Sequence, residues 1–189
     1  MISYLSGSVI IRDDPQIIID VGGVGYKVLA TSDVLASAAV GSPVKIFIYT
    51  HVREDALDLY GFSKYSDLKL FESLIGVSGV GPKTAIGVFA IGTSEQILQA
   101  ISEADTSFFS RVPRLGSKNA QKIIIELKNK VGGGDLNLSD GASNNRQEVS
   151  AALKTFGFSS GEINEALRNL DGGKNVEEQI KNALKYLGK

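Results

Sequence analysis

At Ser63 the spacing of apolar residues along this chain changes from a period of two to a helical period. A chain whose pattern switches in this way must build two kinds of layer, because one periodicity cannot serve both strand and helix. Before the switch, Val44, Ile46 and Ile48 alternate with Lys45, Phe47 and Tyr49. Runs rich in Ile, Val, Tyr and Phe predict strands at Ile2–Val9, Gln16–Val21, Tyr26–Ala30, Val44–Val52 and Leu57–Phe62. Gly22-Gly23 reads as a hairpin turn, and Ser32–Ala39 as a short helix. Five strands with one short helix fit a small closed barrel, of which the OB-fold is the commonest design.

After the switch, Leu68, Phe71, Leu74 and Ile75 share one helical face, and Ala120, Ile123, Ile124 and Leu127 share another. Thr93 with Gln96 predicts a capping box at a helix start. Residues 132–145 (GGGDLNLSDGASNN, from Gly132 to Asn145) carry no period and read as a flexible linker. Beyond it, three short amphipathic segments predict a three-helix module, with Ser159 and Glu162 supplying a second capping box. The expected class is therefore multi-domain α+β: a barrel over 1–62, a helical domain over 63–131, a linker over 132–145 and a helical module over 146–189.

Within the helical domain one short device occurs twice. LIGVSGVGPKTA (Leu74–Ala85) and VPRLGSKNA (Val112–Ala120) each set a Gly-containing turn before a helix that opens with Lys. Such a turn leaves backbone N–H groups facing outward, and a helix start adds free donors and partial positive charge. The pair suggests two clamps on neighbouring phosphates. Charge agrees in sign: residues 64–130 hold 9 Lys and Arg against 6 Asp and Glu, while residues 1–63 hold 4 against 7.

Other chemistries fit less well. There is no Cys and a single histidine, His51, which argues against thiol, iron–sulfur and His-rich metal chemistry and suits a reducing cytoplasm. No apolar run approaches a membrane span, and no signal-like start is present. Gly76–Thr84 approaches a nucleotide-binding loop, but Pro82 interrupts it and a helix, not a strand, precedes it. Gly22, Gly23 and Gly25 join strand to strand, unlike a dinucleotide site. Lys83 could instead be the Schiff-base nucleophile of a helix-hairpin-helix DNA glycosylase/lyase, but the offset for its assisting carboxylate lands on Ile101, and the nearest acid, Asp105, reads as a helix cap. A general single-strand-binding barrel would want a basic, aromatic face, whereas residues 1–63 are net acidic. Glu54 and Asp55 sit between two strands as a hairpin tip, and Phe156-Gly157-Phe158 sets two aromatics in a module too small to bury everything.

Three segments in this order, THVREDALDLYGF, the GVGPKTA turn with its partial copy, and ALKTFGFSSGEINEAL after a linker, resemble the RuvA family of Holliday-junction-binding subunits. The resemblance implies an OB-fold barrel, a tandem helix-hairpin-helix domain and a UBA-like three-helix module. It implies a homotetramer, or an octamer on DNA, that holds a four-way junction open and flat. It implies a RuvB ATPase recruited by the last module, RuvC resolvase as a further partner, and no cofactor of the chain's own, ATP being used by the motor. By the same resemblance Glu54 and Asp55 match an acidic pin. Gly79, Val80, Gly81, Lys83 and Thr84 match the first DNA-binding hairpin, and Leu115, Gly116, Ser117, Lys118, Asn119 and Lys122 the second. Leu153, Phe156, Phe158 and Leu184 match the motor-facing surface. One departure stands out: the second hairpin has Arg114 where Gly is usual. Either Arg114 is strained at positive φ, or the turn differs and the side chain adds a phosphate contact.

Overall fold

The computed structural model describes residues 1–132, 143–169 and 176–188. It divides into two compact units, Met1–Leu138 and Ser139–Lys189.

The first unit begins with a closed five-stranded barrel: β1 (Tyr4–Asp13), β2 (Gln16–Val21), β3 (Val24–Ala30), β4 (Pro43–Val52) and β5 (Leu57–Phe62), with helix α1 (Ser32–Ser37) between β3 and β4. The strand order around it is β1-β2-β3-β5-β4, closed by antiparallel pairing of β1 with β4, and only β3 and β5 run parallel. The period-two pattern explains the closure. Val44, Ile46 and Ile48 point inward with Leu5, Val9, Ile17, Ile19, Val28 and Leu59 to form one core. Gly22 and Gly23 take φ of 63° and 90°, as a two-residue hairpin joining Val21 to its partner Val24 requires. β1 extends past the predicted Val9 to Asp13 because a bulge between Val9 and Ile11 breaks the alternation on which that boundary was read.

A second core fuses the barrel to the helices. Tyr60 and Phe62 of β5 pack with Phe71 and Leu74 of α2 (Tyr65–Ile75), and the Phe62 and Phe71 ring centroids lie 4.9 Å apart. The same core continues through α3 (Pro82–Phe89), α4 (Ser94–Ser102), α5 (Thr106–Ser110) and α6 (Ser117–Gly132). The Thr93–Gln96 capping box at the start of α4 is fully formed.

The second unit holds α7 (Ser143–Thr155), α8 (Ser160–Asn169) and α9 (Val176–Tyr186), with a small core of its own built on Val149, Leu153, Ile163, Ala166 and Ala183. Ser159 and Glu162 close the expected box at α8. α6 runs to Gly132 and α7 starts at Ser143, so both helices enter the 132–145 segment expected to be linker. Composition misled there, since Ser and Asn open helices as readily as they fill loops. The rest of that predicted linker, 133–142, lies outside the described residues.

Candidate nucleic-acid interface

The two Gly turns are one structure repeated 35 positions apart in the numbering. In the first, the Val80 N–H donates to the Val77 carbonyl (3.0 Å), and the Thr84 and Ala85 amides donate to the Gly81 carbonyl (3.0 and 2.9 Å). In the second, Leu115 donates to Val112 (3.1 Å), and Asn119 and Ala120 donate to Gly116 (2.9 and 3.1 Å). Burial repeats too: Val77, Val80, Ala85 and Val88 are buried, as are Val112, Leu115, Ala120 and Ile123. α2 with α3 and α5 with α6 thus form two helix-hairpin-helix units, joined by α4.

The turns leave donors open. Gly81 caps α3 without any side-chain hydrogen bond, and Pro82 at the first helical position has no N–H to satisfy. Among the described residues the amides of Gly81 and Lys83 find no acceptor, nor do those of Gly116, Ser117 and Lys118. Three other helices close their own starts, whereas α1 and α2 also begin without a side-chain cap. Thr93 and Gln96 cap α4, Asp105 accepts from the Ser107 and Phe108 amides at α5, and Ser159 pairs with Glu162 at α8. Gly81 has φ of −91° and ψ of 170°, a conformation open to any residue. A Cβ at Gly81 or Gly116 would meet nothing within 4 Å. The protein's own packing therefore does not demand glycine at these exposed positions, whereas close approach of an outside backbone would.

Lys83, Lys118 and Lys122 are exposed beside these starts, Lys122 one turn beyond Lys118; Ser117 is exposed at the head of α6 and Thr84 is half-buried. Val80 and Leu115 are different. Their side chains are 5% and 4% exposed and their amides are used within the turns, so side chain and N–H both serve to anchor the hairpins. Resemblance put them in the hairpin motifs but could not say which way they face. Arg114 has φ of 67°, where its counterpart Gly79 has 90°. The turn geometry is therefore kept and the arginine is held in the left-handed region. Asn119 turns its side-chain amide to the Gly79 carbonyl (3.2 Å).

Glu54 and Asp55 form the tip of the β4–β5 hairpin. Arg53 and Ala56 exchange backbone hydrogen bonds of 2.8 and 3.4 Å, leaving only these two acids in the loop. Both are exposed, and neither has an ion-pair partner among the described residues. Sequence reasoning missed what lies between tip and hairpin. A cleft of about 250 Å³ is lined by His51, Arg53, Asp58 and Tyr60 from the strands and by Gly81 to Thr84 from the first hairpin. Arg53 pairs with Asp58 at 3.3 Å, and the His51 ring stacks on Tyr49. His51 lies on β4 and Arg53 just past its end, and only the packing of α3 shows that they meet the hairpin.

The lyase geometry does not form. Ile101 is fully buried, and Asp105 is engaged as the α5 cap, its carboxyl held below the ordinary range first by the Ser107 hydroxyl and then by backbone amides. In the second unit, Phe156 is 58% exposed, while Phe158 and Leu184 are half-buried against the core. Leu153, expected on the partner surface, is fully buried and belongs to that core. The Phe158 amide returns to the Leu153 carbonyl and the Gly157 amide to that of Lys154, a Schellman closure after which Phe158 packs against the core that contains Leu153. Among the described residues no cluster could hold a metal ion and no helix is long and apolar enough to cross a membrane.

Comparison with known proteins covers the same three parts. The family model described as RuvA N terminal domain matches residues 1–61, that for the SAM-like helix-hairpin-helix tandem matches 71–129, and that for the RuvA C-terminal domain matches 144–188. A protein of Halothermothrix orenii, named Holliday junction branch migration complex subunit RuvA, is 42% identical over 191 residues, covering 100% of this chain and 98% of that one. Proteins of the same name from Roseiflexus castenholzii and Chloroflexus aggregans are 35% and 37% identical, each covering 100% of this chain and 99% of theirs. The three family models follow the order of barrel, paired hairpins and terminal module, the relatives match along the whole sequence, and the chain belongs to the RuvA family.

Proposed function

We propose that this chain binds four-way DNA junctions by their shape, as a homotetramer that can double to an octamer on DNA. It holds the junction open and flat and recruits a RuvB-type ATPase for branch migration, with a RuvC-type resolvase as a further partner. It is a non-catalytic subunit: it uses no cofactor, and ATP is consumed by the motor. The observation that carries this reading is the pair of equivalent, uncapped helix starts beside exposed lysines, on the same compact unit as an unpaired acidic tip. Amides and lysines grip phosphates, which fixes position without reading bases. Specificity then comes from geometry. Carboxylates at Glu54 and Asp55 repel a continuous duplex and are tolerated only where strands part, a penalty against the wrong substrate rather than a contact with the right one.

A competition gel shift between a synthetic four-way junction and linear duplex tests this. Glu54→Gln with Asp55→Asn should strengthen duplex binding and lower the preference for the junction. In the same assay Lys118→Ala should weaken both complexes and reduce the slope of log affinity against log salt by about 1. Unchanged selectivity in the first variant would remove the acidic tip from the mechanism. An unchanged slope in the second would remove the clamp.

A further inference from the structure

Asn119 stands at the third position of α6, the place from which a Glu or Gln side chain can fold back to the N–H of the capping residue. Gln96 of α4 and Glu162 of α8 do so, each bonding the amide of the residue that caps its helix. Asn119 instead reaches across 40 positions, its Nδ2 donating to the Gly79 carbonyl at 3.2 Å. The seat is shaped for it. A Cβ on Gly79 would lie 3.0 Å from Asn119 Oδ1 and 3.4 Å from its Cγ, so glycine provides room for the amide as well as the φ of 90°. Thr84, at the matching place in the first hairpin, makes no return bond to the second turn among the described residues, so the tie runs one way.

We infer that Asn119 is a positioning residue: it fixes the first hairpin against the second and acts on DNA through Gly79, without touching phosphate. The inference rests on the phosphate-clamp reading above. Two open consequences follow from one side chain. Because Asn119 does not fold back, the Gly116 amide stays available, and because it holds Gly79, the two helix starts keep one separation. Phosphates along a duplex are regularly spaced, so two clamps held at fixed separation engage together without the cost of ordering one against the other.

The experiment measures junction affinity by fluorescence anisotropy for the full chain and for Asn119→Ala, Asn119→Thr, Lys83→Ala and the corresponding double variants. Asn119→Thr installs the residue the first hairpin already tolerates at that place, and thermal melting checks folding of each protein. Losing the tie should weaken binding about three- to tenfold, the range one hydrogen bond controls, with the salt slope unchanged. In the Lys83→Ala background the same change should cost less than about twofold, because the clamp being positioned has already lost its grip. If Asn119 touches phosphate itself, its loss will be as large with Lys83 absent as with it present, and that additivity overturns the inference. No loss in either background overturns it as well. Wild type and Lys83→Ala alone report on the clamp reading: a wild type without junction preference, or a Lys83 variant that binds normally, would sink that reading by a result independent of Asn119.

Discussion

Arg114 carries a conformational cost that its neighbours impose. Pro113 presets the backbone for the first central position of a tight turn, and the Leu115 amide closes that turn onto Val112, leaving the second central position at φ of 67° for a residue with a Cβ. The left-handed region costs a non-glycine residue roughly 1–2 kcal/mol. Glycine would relieve that but would also lose more freedom on folding, by about 0.4–1 kcal/mol. Relief is the larger effect, so Arg114→Gly should raise stability by about 0.5–1 kcal/mol in urea unfolding monitored by circular dichroism. Ala104, at φ of 59° after α4, is the control: its amide and that of Asp105 return to Ile101 and Ala100, and glycine there should stabilise by a similar amount. A destabilised Arg114→Gly protein beside a stabilised Ala104→Gly protein would mean that the arginine side chain supports the turn in a way its exposure does not suggest.

Among the elements, α5 is five residues long and depends on its cap more than a longer helix would. Asp105 accepts from the Ser107 hydroxyl and from the amides of Ser107 and Phe108, which together hold its carboxyl below the usual range. A depressed carboxyl contributes stability that is fully present above its unfolded value and is lost as pH falls through the folded one. Asp105→Asn should therefore melt at a temperature that changes less than wild type on the acid side of pH 4, while the two proteins run parallel near neutrality; parallel curves throughout would remove the cap from the acid response. This cap was legible in the sequence, as were the Thr93 and Ser159 boxes and the inward face of β4, because each depends on residues within a few positions of one another. The extension of β1 was not, since its bulge breaks the period used to read it. The burial of Val80, Leu115 and Leu153, the bond from Asn119 to Gly79 and the cleft at His51 and Arg53 were not either. Each is decided by which elements pack together, and motif spacing carries no information about that.

For the whole molecule, the separation of cores makes division of labour a physical statement. The helix starts and the acidic tip belong to the unit built on the barrel core and the shared aromatic core, and among the described residues both cores are made from that unit alone. A chain ending at Gly132 should therefore keep junction binding within about twofold of the full chain, since every proposed phosphate contact and the core beneath it remain. The terminal module offers a sharper test of its own. Phe156 follows the last residue of α7 and is 58% exposed, so Phe156→Ala removes little buried surface and should leave melting unchanged. Leu153→Ala, by contrast, hollows a small core and should unfold the module at a cost of about 2–5 kcal/mol. If the exposed aromatic is a motor contact, both variants will lose stimulation of RuvB-type ATPase activity while binding junctions normally, but only the second will lose the helical signal of the module. Stimulation that survives Phe156→Ala and fails only with Leu153→Ala would assign motor recruitment to other residues of the folded module, because the buried leucine can act only by keeping the module intact.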